Sequence, residues 1–118
     1  MHPKTRYVFT ASLDVDPAKE AAFNEVYDTE HVPFLLKVPG VLAVTRVTNE
    51  PQPKMRIDGG VKTLTAEGEP KYSAIYELES AEVLLSDAWA VAVDKGRWPA
   101  EIRPHIRARR HTLKKVMG

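Results

Sequence analysis

The segment Phe23-Asn24-Glu25-Val26-Tyr27-Asp28-Thr29-Glu30-His31-Val32-Pro33 brings an imidazole, a phenol and several carboxylates close together. His31 stands four residues after Tyr27 and eight after Phe23, so on a helix the three project from one face. Pro33 lacks a backbone donor and biases Val32 away from helical angles, so the helix should end or kink near His31. Carbonyls at such an end lack donors and favour a cation. His31 could therefore serve as a catalytic acid or base near neutral pH, with Asp28 or Glu30 orienting the ring. Alternatively, it donates to a free carbonyl at the kink and merely fixes the helix end. Tyr27, Tyr72 and Tyr76 could present phenol groups to a polar ligand, or fill a core. Asn24, one turn before Asp28, could orient a ligand or a neighbouring loop.

A second candidate lies near the C-terminus. On a strand Arg107 and Arg109 share a face while Arg110 points away, so the first two could grip a carboxylate, or pair with Glu77 or Glu79. Residues 95–118 carry eight basic groups against Glu101 alone, whereas residues 1–94 have a net charge of −6. A cationic strand lying against an acidic body accounts for this asymmetry. Nucleic-acid binding is the lesser alternative, since no interleaved aromatics or recognition helix accompany the charge. His2, His31, His105 and His111 show no metal-ligand spacing, so no metal site is expected, although a haem would need only one histidine. Asp58-Gly59-Gly60 lacks the strand-turn-helix context of a phosphate loop, and there is no Gly-x-Ser-x-Gly elbow. No cofactor is expected.

These groups must be positioned by regular elements. Thr5–Leu13 alternates, with Tyr7, Phe9, Ala11 and Leu13 on one face, and reads as a strand. Asp16-Pro17 opens a helix whose stripe is Ala22, Phe23, Val26 and Tyr27. A further helical turn, residues 33–37, follows and is closed by Pro39-Gly40. Val41–Thr48 is β-branched and extended, and residues 49–70 form an arm with a hairpin around Asp58-Gly59-Gly60. Lys71–Leu78 is another strand. Ser80 should cap a second helix with Leu85, Ala88, Trp89 and Ala92 buried and Gly96 as its stop. His105–Val116 reads as a basic edge strand, with Ile106, Ala108, Thr112 and Val116 sharing one parity.

This order gives an α+β class, a ferredoxin-like βαββαβ arrangement with a four-stranded antiparallel sheet and two helices on one face. The other face would expose Val8, Leu42, Val44 and Ile75, and an apolar sheet face of that kind calls for a partner. A homodimer with facing sheets is expected.

The Tyr-Asp-x-Glu-His-x-Pro motif at residues 27–33, with Val38-Pro39-Gly40 after it, resembles the EthD-like branch of the dimeric α/β-barrel superfamily. Residues 71–78 and Trp98 with Arg103-Pro104-His105 match that branch in type and order. The resemblance spans the chain apart from the 49–70 arm, and implies a ferredoxin-like dimeric barrel. It departs at Val26, where such proteins often carry tryptophan, and at Leu113, where they often carry an aromatic, so pocket shape should differ. The superfamily hosts monooxygenases, isomerases, decarboxylases, cyclases and haem-handling proteins, and the fold does not choose among them.

Length and composition agree with this picture. The 118 residues are 43% apolar and 28% charged, which excludes intrinsic disorder, and residues 1–118 read as a single domain. No run approaches the length of a membrane span, no signal core follows Met1, and cysteine is absent, so a cytoplasmic protein is expected. The function expected is a metal-independent enzyme of lyase, cyclase or isomerase type, acting on a small apolar oxygenated compound. In it His31 would be the acid or base, with Tyr27, Asn24, Tyr72, Tyr76, Arg107 and Arg109 binding substrate and the arm a candidate lid. The alternative is a homodimeric ligand-binding or accessory protein that does not catalyse.

Overall fold

The computed structural model describes residues 1–118. Strand β1 (Tyr7–Val15) leads into a 3-10 turn (Pro17–Lys19) and helix α1 (Glu20–Val26). The Asp16 side chain accepts the Ala18 N–H, so the expected cap forms. A π-helical turn (Tyr27–His31) joins α1 to α2 (Val32–Leu36), and β2 (Val41–Thr48) follows. Strands β3 (Lys54–Ile57) and β4 (Gly60–Thr63) pair only with each other, as the hairpin signal in the arm suggested. Then come β5 (Tyr72–Leu78), a 3-10 turn (Ala81–Leu85), α3 (Asp87–Ala92), a second π turn (Trp98–Ile102), a 3-10 turn (Arg103–His105) and β6 (Ile106–Lys115).

The main sheet has the order β2-β5-β1-β6 and is antiparallel throughout. Helices cover one face, which is the split βαβ arrangement expected. Phe23, Val26, Leu35, Val38 and Ile102 from the helical layer close on Leu13, Ala74, Tyr76 and Leu78 from the sheet. The longest dimensions are 50 × 42 × 19 Å, and no helix is long and apolar enough to cross a membrane.

Several details differ from the sequence reading. The first helical segment does not stop at His31. The π turn absorbs Pro33, and helical geometry continues to Leu36. Ala22 is exposed at the edge of the buried arc. Ser80 makes no cap bond. Ser86 does, accepting the Trp89 N–H and donating to the Val83 carbonyl, so α3 starts later than expected. That shift turns Leu85 and Ala88 to solvent and buries Val83 instead.

Two bulges change which face residues occupy. Val41 pairs with Leu78 but Ala43 with Glu77, so a surplus residue lies at Leu42. Val44 consequently packs on the helical side, opposite Tyr76, and leaves the open face to Val8, Ile75, Ala43 and Val47. On β6, Ser12 pairs with Arg110 but Asp14 with Arg107, and Ala108 sits at φ 52°. The single parity expected for that strand is broken there. The basic terminus does lie against carboxylates of the body: Arg97 on Glu30, Arg103 on Asp94, Arg107 on Asp16 and Arg110 on Glu69.

Candidate functional site

Two π turns meet over the sheet and build the site. In the first, the Val32 N–H reaches back to the Tyr27 carbonyl. Pro33 has no donor for the ordinary bond, so the wider turn keeps the helix going. In the second, with Pro99 just inside it, the Arg103 N–H reaches the Trp98 carbonyl. The turns are tied together by Glu30, whose carboxylate accepts the Arg97 backbone N–H at 2.9 Å and the Arg97 Nε–H. Those bonds hold Glu30 below the usual carboxylate range. Gly96 permits the approach: it has φ 67°, and a Cβ there would collide with Glu30 Oε1.

His31 and Trp98 stack where the turns face each other, with centroids 4.0 Å apart and planes 14° from parallel. The imidazole is 5% exposed, and its Nδ1 is buried without a hydrogen-bond partner. Neither nearby carboxylate orients it, because Glu30 is held by Arg97 and Asp28 by Arg46 at 2.8 Å. Burial, aided by the charge of Arg103, pushes the His31 pKa down to about 4, so the ring is neutral at pH 7. The cation expected at a helix end is therefore absent, and so is the bond to a free carbonyl.

The Tyr27 ring lies nearly perpendicular to that of His31, with centroids 5.0 Å apart, and its hydroxyl shares a buried 2.7 Å hydrogen bond with that of Tyr76. Burial raises the Tyr27 pKa to about 12 and carries Tyr76 well above its ordinary value, so both stay protonated. The Arg46 guanidinium lies 4.5 Å from the Tyr27 ring centre.

These side chains border a cavity of about 450 Å³ between the helical layer and the sheet. Of the residues singled out in the sequence, His31, Tyr27, Tyr76 and Arg109 line it together. Asn24, Tyr72 and Arg107 do not. Asn24 accepts from Arg46 and donates to the Tyr72 hydroxyl, which itself donates to Glu20. Those contacts form a separate polar cluster that ties α1 to the sheet. Arg107 lies near Asp16 at 3.4 Å, since the bulge at Ala108 turns it from the face that Arg109 occupies. No residue of the 49–70 arm reaches the cavity.

The lining also includes Phe9, Trp89, Trp98, Arg103 and His111, none of which the sequence reading placed in a site. Trp89 reads from the sequence as packing on the second helix, and Trp98 carries no chemistry there. His111 enters only through strand register, opposite Ala11, with its ring 5.4 Å from that of Phe9. Burial first, then Arg109, lowers its pKa. No three His, Asp or Glu side chains converge as a metal-binding group would require.

No protein-family model matches the chain, and no curated protein matches it in sequence. Solved structures do match its shape. An EthD family protein from Bacillus halodurans superposes with a TM-score of 0.57 at 15% identity, over 94% of this chain and 99% of that one. A cofactor-independent oxygenase from Streptomyces nogalater gives 0.57 at 15% identity, over 97% and 95%. A heme-degrader from Mycobacterium tuberculosis gives 0.57 at 15% identity, over 95% and 96%. Proteins of such different activity share the arrangement of sheet and helices, and it is the fold alone that this similarity carries. The chain has the ferredoxin-like fold of the dimeric α/β-barrel proteins, as the motif at residues 27–33 implied.

Proposed function

We propose that the chain is a small-molecule enzyme that moves a proton on a compound held in this cavity, with His31 as acid or base. The observation that carries the reading is a neutral imidazole on the wall of an apolar cavity, its Nδ1 buried without a partner. A buried polar atom of that kind costs free energy, and a ligand group that reaches Nδ1 would recover it. A base held near pKa 4 is weak. An anionic group of the substrate near the ring would raise that pKa toward the range where proton transfer is efficient. The Tyr27–Tyr76 pair offers neutral phenol groups to an oxygen of the substrate. Isomerisation, cyclisation, dehydration and decarboxylation all begin or end with such a transfer.

In this reading the protein works as a homodimer, with the open sheet face around Val8, Ala43, Val47 and Ile75 packed against its copy. A homodimeric binding protein without catalysis is the second reading. It is favoured by the lack of any side chain orienting the imidazole.

The test is native mass spectrometry of gently purified protein, followed by identification of any released compound. That compound is then incubated with the protein in D2O and followed by NMR. The enzyme reading expects a dimer carrying bound mass and deuterium exchange that His31→Phe eliminates while the dimer persists. Binding without exchange would leave the accessory role, and a monomer with no ligand would overturn both.

A further inference from the structure

We propose that Arg109 and His111 form the anchoring end of the cavity and take the carboxylate of a flat, largely apolar acid. This deepens the reading of the cavity as a ligand site and rests on it. The first support is a backbone irregularity. Ala108 holds φ 52°, a left-handed conformation that residues other than glycine adopt at a cost. Its effect is selective. It sends Arg107 toward Asp16 at 3.4 Å and Arg110 toward Glu69 at 2.9 Å, on the face away from the helices, and leaves Arg109 facing the cavity.

The second support is the state of the donors. Arg103, the other guanidinium on the cavity wall, is committed to Asp94 at 2.7 Å and the Val93 carbonyl at 2.9 Å. Arg109 makes no side-chain hydrogen bond or ion pair, so its planar fork is free to take a carboxylate with two parallel bonds. His111, two residues along the same face, adds an imidazole N–H beside it. One free guanidinium with a neutral imidazole balances a single negative charge, which favours a monocarboxylate over a phosphate dianion. Beyond this end the walls are Phe9, Trp89, Trp98 and Tyr76, which suit a planar apolar body. A ligand anchored at β6 would extend toward His31 and the tyrosine pair.

The experiment is calorimetric titration of the full chain with naphthalene-2-carboxylate and with its neutral carboxamide. The carboxylate is expected to bind at least about tenfold more tightly. Arg109→Gln should remove that preference and leave carboxamide affinity within about twofold. Arg109→Lys, which keeps the charge but not the fork, should retain part of the preference. Arg110→Gln removes the same charge from the opposite face and should change neither affinity. Melting temperatures of the variants confirm folding, which the exposure of Arg109 favours. Equal affinity of the two compounds for the native chain would overturn the anchor and leave the cavity reading standing. Equal losses in Arg109→Gln and Arg110→Gln would reduce the effect to a general positive field, and also overturn it. Binding of neither compound would remove the cavity reading, and the anchor with it.

Discussion

His31 lies flat against Trp98, 4.0 Å from centroid to centroid, and each ring is carried by its own π-helical turn. Ordinary helical spacing already sets His31 on the face of Tyr27, and the wider turn lets the helix continue past Pro33. The stack on Trp98 leaves the imidazole without solvent on one whole face.

That burial makes His31 a pH-dependent element of stability. Its pKa is about 4 in the folded chain against an ordinary 6.5, so between these values the unfolded chain binds more protons. Stability is therefore full above pH 6.5 and declines as the pH falls toward 4, by about 3 kcal/mol. Urea unfolding from pH 7.5 to 4.5 should show this slope, and His31→Gln should flatten it. An unchanged slope in the variant would place the titration elsewhere.

Removing one hydroxyl of the Tyr27–Tyr76 pair strands the other in a buried site. Tyr76→Phe should cost about 1–3 kcal/mol, and Tyr27→Phe a similar amount. The double variant should cost clearly less than the sum, since no unpaired hydroxyl remains. A double-mutant cycle by chemical denaturation measures the coupling, and strict additivity would contradict it.

Gly96→Ala meets two obstacles at once. The left-handed backbone alone costs about 1–2 kcal/mol for an L residue. The new methyl must also displace the Glu30 carboxylate from Arg97, loosening the tie between the π turns. Gly59→Ala at φ 77° has nothing within 4 Å, so only the backbone cost applies. Thermal melts should therefore rank Gly96→Ala well below Gly59→Ala, with weakened ligand binding in the former alone.

Ser86→Ala should destabilise the fold by about 1 kcal/mol, because Ser86 Oγ accepts the Trp89 N–H that opens α3. Ser80→Ala should be close to neutral, as that side chain caps nothing. Comparing the two melting temperatures checks the assignment.

The strands and their order were legible because alternation and turn chemistry are local signals. Thr5–Leu13, Val41–Thr48 and Lys71–Leu78 carry both, and Asp16-Pro17 announces its cap. Half of the candidate site was legible for the same reason: helical spacing joins Tyr27 to His31, and the strand pattern points Tyr76 inward. What escaped depends on surplus residues that leave no local mark. Pro33 reads as a break, and only the packed helix shows that a wider turn absorbs it. Ala108 is an ordinary residue in a conformation that glycine would have advertised, so the separation of Arg107 from Arg109 was hidden. Ser80 and Ser86 are equally good caps on paper, and burial of Val83 rather than Leu85 accompanies the choice between them. His111 and Arg103 needed register and tertiary packing to reach the cavity.

The bulge at Ala108 has a consequence for how this protein can vary. Side chains on β6 alternate on either side of a single surplus residue, so deletion of Ala108 would leave Arg107 opposite Asp14 and Arg109 on the cavity face. Straightening the strand with Ala108 kept would instead move every residue before it by one place. In the straightened strand Arg107 would fall opposite Val15 and turn inward while Arg109 kept its place, and Ile106 would give up its position on the cavity wall. What holds for loss of Ala108 holds also for the turns at Tyr27–His31 and Trp98–Ile102, where one residue fewer would restore ordinary helical winding with the flanking residues keeping their faces. These surplus residues are thus the places where the chain can change in length while the cavity wall keeps its groups. A residue lost elsewhere in β6, with no bulge to absorb it, would instead present a different set of groups to a ligand.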